Sequence, residues 1–136
     1  MADLSITAAS VLQSSGTSVS SGVASTAITR GQYVYVLANG KIGLADSNGS
    51  SPANSIAGCS IADVSTDQTC FYVASDSSFT PGFSATAGDT IWLSDTPGAA
   101  TKTYAEIASG STVIPLGVMT SSTVMKFSPI VGGVKP

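Results

Sequence analysis

Eight carboxylates, two thiols and one indole are the side chains of this 136-residue chain with the most chemistry to offer. Asp3, Asp46, Asp63, Asp67, Asp76, Asp89, Asp95 and Glu106 are the residue type that glycoside hydrolysis requires, where an acid and a second carboxylate flank the bond to be cut. Most of them, however, stand in turn contexts: Asp46-Ser47-Asn48-Gly49, Asp63 and Asp67 either side of a loop tip, and Asp76-Ser77-Ser78. There an aspartate has a local task, accepting hydrogen bonds from its own turn, and catalysis is not expected. Asp46 with Asn48, and Asp63 with Asp67, also present oxygen donors at loop spacings. They lack the glycine and glutamate of a dedicated calcium loop, so no metal and no cofactor is expected.

Histidine is absent. Without it a Ser-His-Asp or Cys-His arrangement has no group to take the proton. With only Cys59 and Cys70, a zinc site of nitrogen and sulfur ligands lacks its residues. The two cysteines are eleven positions apart in what reads as a hairpin, without the Cys-x-x-Cys spacing of a redox pair. They read as two small buried thiols, or as a cross-strand disulfide if the register sets them opposite one another. Trp92, with Asp89 and Asp95 nearby, has the composition of a glycan-stacking site. Core packing is the competing reading.

The basic residues exclude another class. Arg30, Lys41, Lys102, Lys126 and Lys135 are scattered, the net charge is −3 and the isoelectric point about 4.4. Neutralising a phosphate backbone takes clustered Lys and Arg, so neither nucleic acid nor an anionic membrane is an expected partner. No apolar run approaches the 18 or so residues of a membrane span. The first residues, Met1 to Ile6, lack the basic and apolar regions of a secretory leader, so the expectation is synthesis and folding in a cytoplasm unless a leader has been removed by processing.

The elements that must carry these residues are strands. Short runs rich in β-branched and aromatic residues recur between Gly, Asn, Asp, Ser and Pro, near 4–8, 33–37, 41–44, 56–62, 70–74, 90–93, 113–120 and 123–127. A single short helix candidate covers 104–108. Asn39-Gly40 predicts a hairpin through a two-residue turn in which both residues tolerate positive φ, and Ser121-Ser122 a second tight connection. The expected fold is all-β, a small antiparallel sandwich or barrel of about eight short strands. Tyr33–Leu37, Phe71–Val73 and Ile91–Leu93 are apolar on both faces, so each needs a second surface: another sheet, a covering loop or a neighbouring subunit.

Residues 1–28 differ from residues 29–136. Beyond Leu4, Ile6 and Ala8 the segment is Ser, Thr, Gly, Ala and Val, with few side chains to bury and much backbone freedom to lose. It reads as a loose terminus or as an extended arm that orders against a partner, for which Leu4, Ile6, Val11, Leu12, Val19 and Val23 would supply the contacts by strand addition. Trp92 is the candidate contact on the body.

The body carries a weak internal repeat, with halves 29–80 and 81–136. Thr29-Arg30-Gly31-Gln32-Tyr33-Val34-Tyr35-Val36 can be laid on Thr86-Ala87-Gly88-Asp89-Thr90-Ile91-Trp92-Leu93, and Ser55–Ile61 on Ile114–Thr120. The glycine-to-glycine spacings, Gly31 to Gly58 and Gly88 to Gly117, are 27 and 29. A glycine inside a strand marks a bulge or a close backbone approach, so its recurrence predicts a shared bend.

Gly31–Val36, Gly40–Asp46, Ala57–Ala62, Ala87–Ala99 and Pro115–Met119 together resemble small bacteriophage head proteins, the capsid decoration (cement) and head-fibre-like proteins. The resemblance spans roughly residues 29–128 and does not extend to the Ser/Thr-rich arm. It implies a β-rich protein on the capsid exterior, assembled in the host cytoplasm, often a homotrimer, whose partners are the major capsid protein and itself. It brings no catalytic residues. The alternative it leaves open is a head-fibre or spike subunit that binds a host receptor or glycan.

Overall fold

The computed structural model describes residues 3–47, 56–103 and 113–129. They form ten strands and one 3-10 turn, Ala8–Ser10. The strands are β1 Ser20–Val23, β2 Tyr33–Val36, β3 Ile42–Leu44, β4 Gly58–Ser60, β5 Thr69–Val73, β6 Asp76–Phe79, β7 Thr90–Leu93, β8 Ala100–Thr101, β9 Pro115–Met119 and β10 Met125–Phe127. Every ladder is antiparallel. They make two five-stranded sheets, ordered β1-β5-β4-β2-β3 and β6-β10-β9-β7-β8. The protein is an all-β sandwich.

The two orders are the same pattern: replacing each strand of the first sheet by the one five places later produces the second. The agreement extends to register. Tyr33 faces Cys59 and Val34 faces Gly58 in the first sheet; Thr90 faces Val118 and Ile91 faces Gly117 in the second. The turns that enter β2 and β7 also agree. Gln32 N–H donates to Thr29 O at 3.0 Å and Asp89 N–H to Thr86 O at 2.9 Å. The side chains return the bond, Thr29 N–H to Gln32 Oε1 at 2.8 Å and Thr86 N–H to Asp89 Oδ2 at 2.9 Å. Gly31 and Gly88 sit at φ +95° and +94°, a region costly for any residue with a Cβ. Their N–H groups donate to Ser60 O and Met119 O, both at 2.8 Å.

Equivalent strands do not present equivalent faces to the core. Val34 and Ile91 correspond, yet Ile91 lies between the sheets while Val34 lies on the far side of the first sheet with Ala24, Ile28, Ile42 and Cys70. The second sheet therefore packs its inner face on the back of the first. The residues buried there, Tyr33, Cys59 and Val73, have as counterparts Thr90, Val118 and Lys126, on the side of the second sheet turned away from the core. A stack of like units ends this way, with polar groups such as Thr90 and Lys126 at positions its neighbour would cover, although Val118 there is exposed and apolar. The inter-sheet core includes Phe79, Leu93, Leu116, Met119 and Met125. Phe127 is in ring contact with both Tyr33 and Phe79, at centroid separations of 5.9 and 5.4 Å.

The first sheet thus has two apolar faces, one covered by the other sheet and one by the chain segment 24–28. Ala24 bridges in parallel to Ile42 and Ile28 antiparallel to Val64, so this segment curls the first sheet toward closure between β1 and β3. The hairpin at Asn39-Gly40 forms as expected, with a different turn. Leu37 N–H donates to Lys41 O at 2.8 Å, only Gly40 of the pair has positive φ, and Asn39 Oδ1 accepts from Lys41 N–H at 3.0 Å. It is the three-residue loop with a terminal left-handed glycine. The strand expected at 4–8 is an extended segment ending in the 3-10 turn, and three strands not expected from the sequence, β1, β6 and β8, complete the sheets. The helix candidate at 104–108 lies outside the described residues.

Candidate interaction surface and the N-terminal strap

Residues 3–28 are seated on the body of the chain itself. Leu4 N–H donates to Ala100 O and Thr7 N–H to Gly82 O, each at 2.8 Å. Leu12 and Thr80 exchange both backbone bonds at 3.0 and 2.9 Å. Ser94 Oγ donates to Asp3. Leu4 and Ile6 pack on the inter-sheet core and Val11 is fully buried within it. The chain then crosses through 13–19 to the first sheet, which it joins as β1. Residues 3–12 thus lie against Thr80, Gly82, Ser94 and Ala100, with Ile6 and Val11 also over Gly31, and 20–23 join the first sheet: the segment is a strap across both halves.

A bare backbone at two points makes room for it. A Cβ on Gly31 would stand 2.7 Å from Ile6 Cγ2 and 2.8 Å from Val11 Cγ2; one on Gly82 would stand 2.7 Å from Thr7 O and 2.9 Å from Val11 Cγ2. Two glycines, one from each half, form the seat of Ile6 and Val11.

Asp76 anchors the crossing. Its carboxylate, at the edge of a groove, accepts from Ser14 N–H at 2.6 Å, from Ser14 Oγ, and from Ser78 N–H at 3.0 Å. Burial alone would raise its pKa. The hydrogen bonds from Ser14, Ser78 and Thr17 outweigh it and hold the carboxyl below the usual range. A groove of about 530 Å³ opens beside it, lined by Ser14, Thr17, Ser20, Asp76, Ser77 and Lys126 among others.

Exposed apolar side chains occur along the strap and on the β1–β5 ladder that follows it. Leu12 is 58% exposed, Val19 43%, Val23 41% and Phe71 47%. Ser21 faces Phe71 and Val23 faces Thr69 in the β1–β5 ladder, so Val23 and Phe71 share the face of the first sheet whose more central part, at Val73 and Cys59, is buried by the second. Phe71 is not among the contact residues singled out from sequence, although the Phe71–Val73 run, apolar on both faces, requires a second surface. Its alternation with Cys70 and Tyr72 could have marked it, had the register been known.

Of the residues singled out from sequence, Leu12, Val19 and Val23 are therefore at the surface, Leu4 and Ile6 are half-buried in the strap's seat, and Val11 is taken up inside the chain. Trp92 is half-buried on β7, facing Thr101 and Pro115 across the ladders, remote in sequence and strand order from β1. The structure brings together Val19, Val23 and Phe71 and leaves Trp92 apart.

The described carboxylates accept bonds mostly from residues distant in sequence, so that several tie segments together rather than only capping their own turns. Arg30 N–H donates to Asp63 Oδ1 at 2.8 Å, Ser47 Oγ to Asp95 Oδ1 at 2.5 Å, and Asp67, at φ 69°, pairs with Lys41 Nζ at 3.2 Å where both are exposed. Among the described residues no three His, Cys, Asp or Glu side chains cluster as metal ligands would; Asn48 lies outside them. Cys59 and Cys70 are both free and buried. Cys59 faces Val73 in the β4–β5 ladder, so the register does not set the thiols opposite one another. Burial pushes both thiols up in pKa, away from the reactive thiolate.

No protein-family model matches the chain, and no curated protein and no solved structure does either.

Proposed function

We propose that this chain is a structural protein of a bacteriophage virion, a decoration or cement protein that binds the capsid exterior, contacts the major capsid protein and stabilises the shell as a homotrimer. The observation that carries the reading is the apolar patch of Val23 and Phe71 on one sheet face, with Val19 beside it. Large exposed apolar side chains gathered in this way mark a surface that another protein covers. The head-protein resemblance of residues 29–128 supports the same reading. So does the scarcity of charge, because apolar and backbone contacts hold at any ionic strength whereas exposed ion pairs are screened. Three copies joined on a shell engage several capsid subunits at once, and avidity makes modest single contacts sufficient. We also infer that the two five-stranded units arose by tandem duplication; their common strand order, register and turn bonds support it.

The test is made on particles. Mass spectrometry of purified virions is expected to find the protein in many copies per head. Heads assembled without it are expected to rupture at a lower temperature than complete heads. Absence from purified virions, or heads equally robust without it, contradicts the proposal.

A further inference from the structure

The strap is built so that it can be supplied by another molecule. Its bonds to the body run from residues 3–14 to Ala100, Gly82, Thr80, Ser94 and Asp76, and its side chains fill the seat over Gly31 and Gly82. Between Ser14, which Asp76 holds, and β1 lies a link, Ser15-Gly16-Thr17-Ser18-Val19, rich in hydroxyls. Gly16 in it has φ +81° and nothing within 4 Å of where a Cβ would be. Five extended residues reach roughly 16–18 Å, enough to pass between two bodies in contact.

Exchanging identical elements between copies preserves each native contact, so the two arrangements differ only in the link and in what the link region touches. Here the link region has something to gain. Leu12, just before it, and Val19, at its end, are 58% and 43% exposed, and Val23 and Phe71 follow on the adjoining strands. Four of the six large apolar side chains exposed among the described residues, these four against Val36 and Val118, border the one segment that an exchange would re-route between bodies.

We infer that residues 3–14 of each copy seat on a neighbouring copy, over its Gly31 and Gly82 and against its Asp76, and that this strand exchange holds the oligomer together. The occupant of the seat is fixed by what already fits it, the same segment of a second chain. Passed from each copy to the next, such exchanges form a head-to-tail ring, which three copies can close. The inference rests on the oligomeric part of the proposed function and specifies its mechanism.

Leu12 and Thr80, which exchange both backbone bonds, provide the test. Chains carrying Leu12→Cys are co-refolded with chains carrying Thr80→Cys, and diamide is added to oxidise facing thiols to disulfides. Exchange predicts a cross-link joining the two kinds of chain. The double variant should cross-link into linked multimers. No cross-link in the mixture, with the double variant closing only within single chains, overturns the exchange. Solution mass separates the two readings: an oligomer without inter-chain cross-links refutes exchange alone, whereas a monomer refutes the oligomer too. Isotope-filtered NMR on wild-type protein refolded from labelled and unlabelled chains needs no substitution. Contacts of Ile6 and Val11 with Gly31 and Gly82 between differently labelled chains are expected; contacts confined to like-labelled chains contradict the inference.

Discussion

Gly58 and Gly117 stand at equivalent points of the two sheets, each beneath a carbonyl of the next strand. A Cβ on Gly58 would be 2.3 Å from Val73 O, and one on Gly117 would be 2.2 Å from Lys126 O. Val73 and Lys126 are themselves counterparts, as the partners that face Cys59 and Val118. The obstacle is backbone in both cases, so no side-chain rotation relieves it. Gly58→Ala and Gly117→Ala are each expected to lower stability by about 1–3 kcal/mol, the range for overpacking. Thermal melts of the two variants should both shift down by several degrees; an unchanged melting temperature in either would contradict the close approach.

Asp76 makes the strap's crossing sensitive to acid. Its pKa is depressed in the folded chain, so the unfolded state binds the proton more readily. The stabilisation is complete above the unfolded value, about 3.9, and is lost as pH falls through the lower folded value. Asp76→Asn is expected to destabilise at pH 7 by about 1.5–3 kcal/mol, the scale of hydrogen bonds to a charged group. The gap between wild type and variant should narrow in melts below about pH 4. A gap that stays constant down to pH 2 would show that the carboxylate does not hold Ser14 as a charged acceptor.

Tyr33 supplies a contrary case. Its ring is fully buried against Phe127, but its hydroxyl is buried without a hydrogen-bond partner among the described residues. Burial, with the nearby Cys59, pushes its pKa far above the ordinary value, and the group stays neutral. An unsatisfied buried polar atom costs about 1–3 kcal/mol. Tyr33→Phe is therefore expected to match or exceed the wild type in chemical denaturation. A loss of more than about 1 kcal/mol, a typical net hydrogen bond, would mean that the hydroxyl has a partner.

The central strands were legible because their residues say strand unaided: Tyr33–Val36, Thr69–Val73, Thr90–Leu93 and Pro115–Met119 are rich in β-branched, aromatic or other large apolar side chains. β1 and β6 were not, since Ser-Ser-Gly-Val and Asp-Ser-Ser-Phe are poor strand formers by composition. They are edge strands, held by the ladders of β5 and β10. The unlike use of equivalent faces was also hidden. Thr90 against Tyr33 and Lys126 against Val73 record it, but those substitutions carry meaning only once the stacking is known. The same holds for the surface patch. Val19 and Val23 could be named from sequence, whereas Phe71 joins them through the register of β5.

The most direct measurement is binding to the shell. Expanded phage heads assembled without this protein are mixed with it at rising concentration and pelleted. Wild-type protein is expected to co-sediment to a saturating number of copies, at both low and high salt. Val23→Ser with Phe71→Ser, folded as judged by an unchanged melt, is expected to lose at least tenfold in affinity. Wild-type protein that remains in the supernatant, or a double variant that binds as tightly as wild type, would contradict the proposed role of this surface.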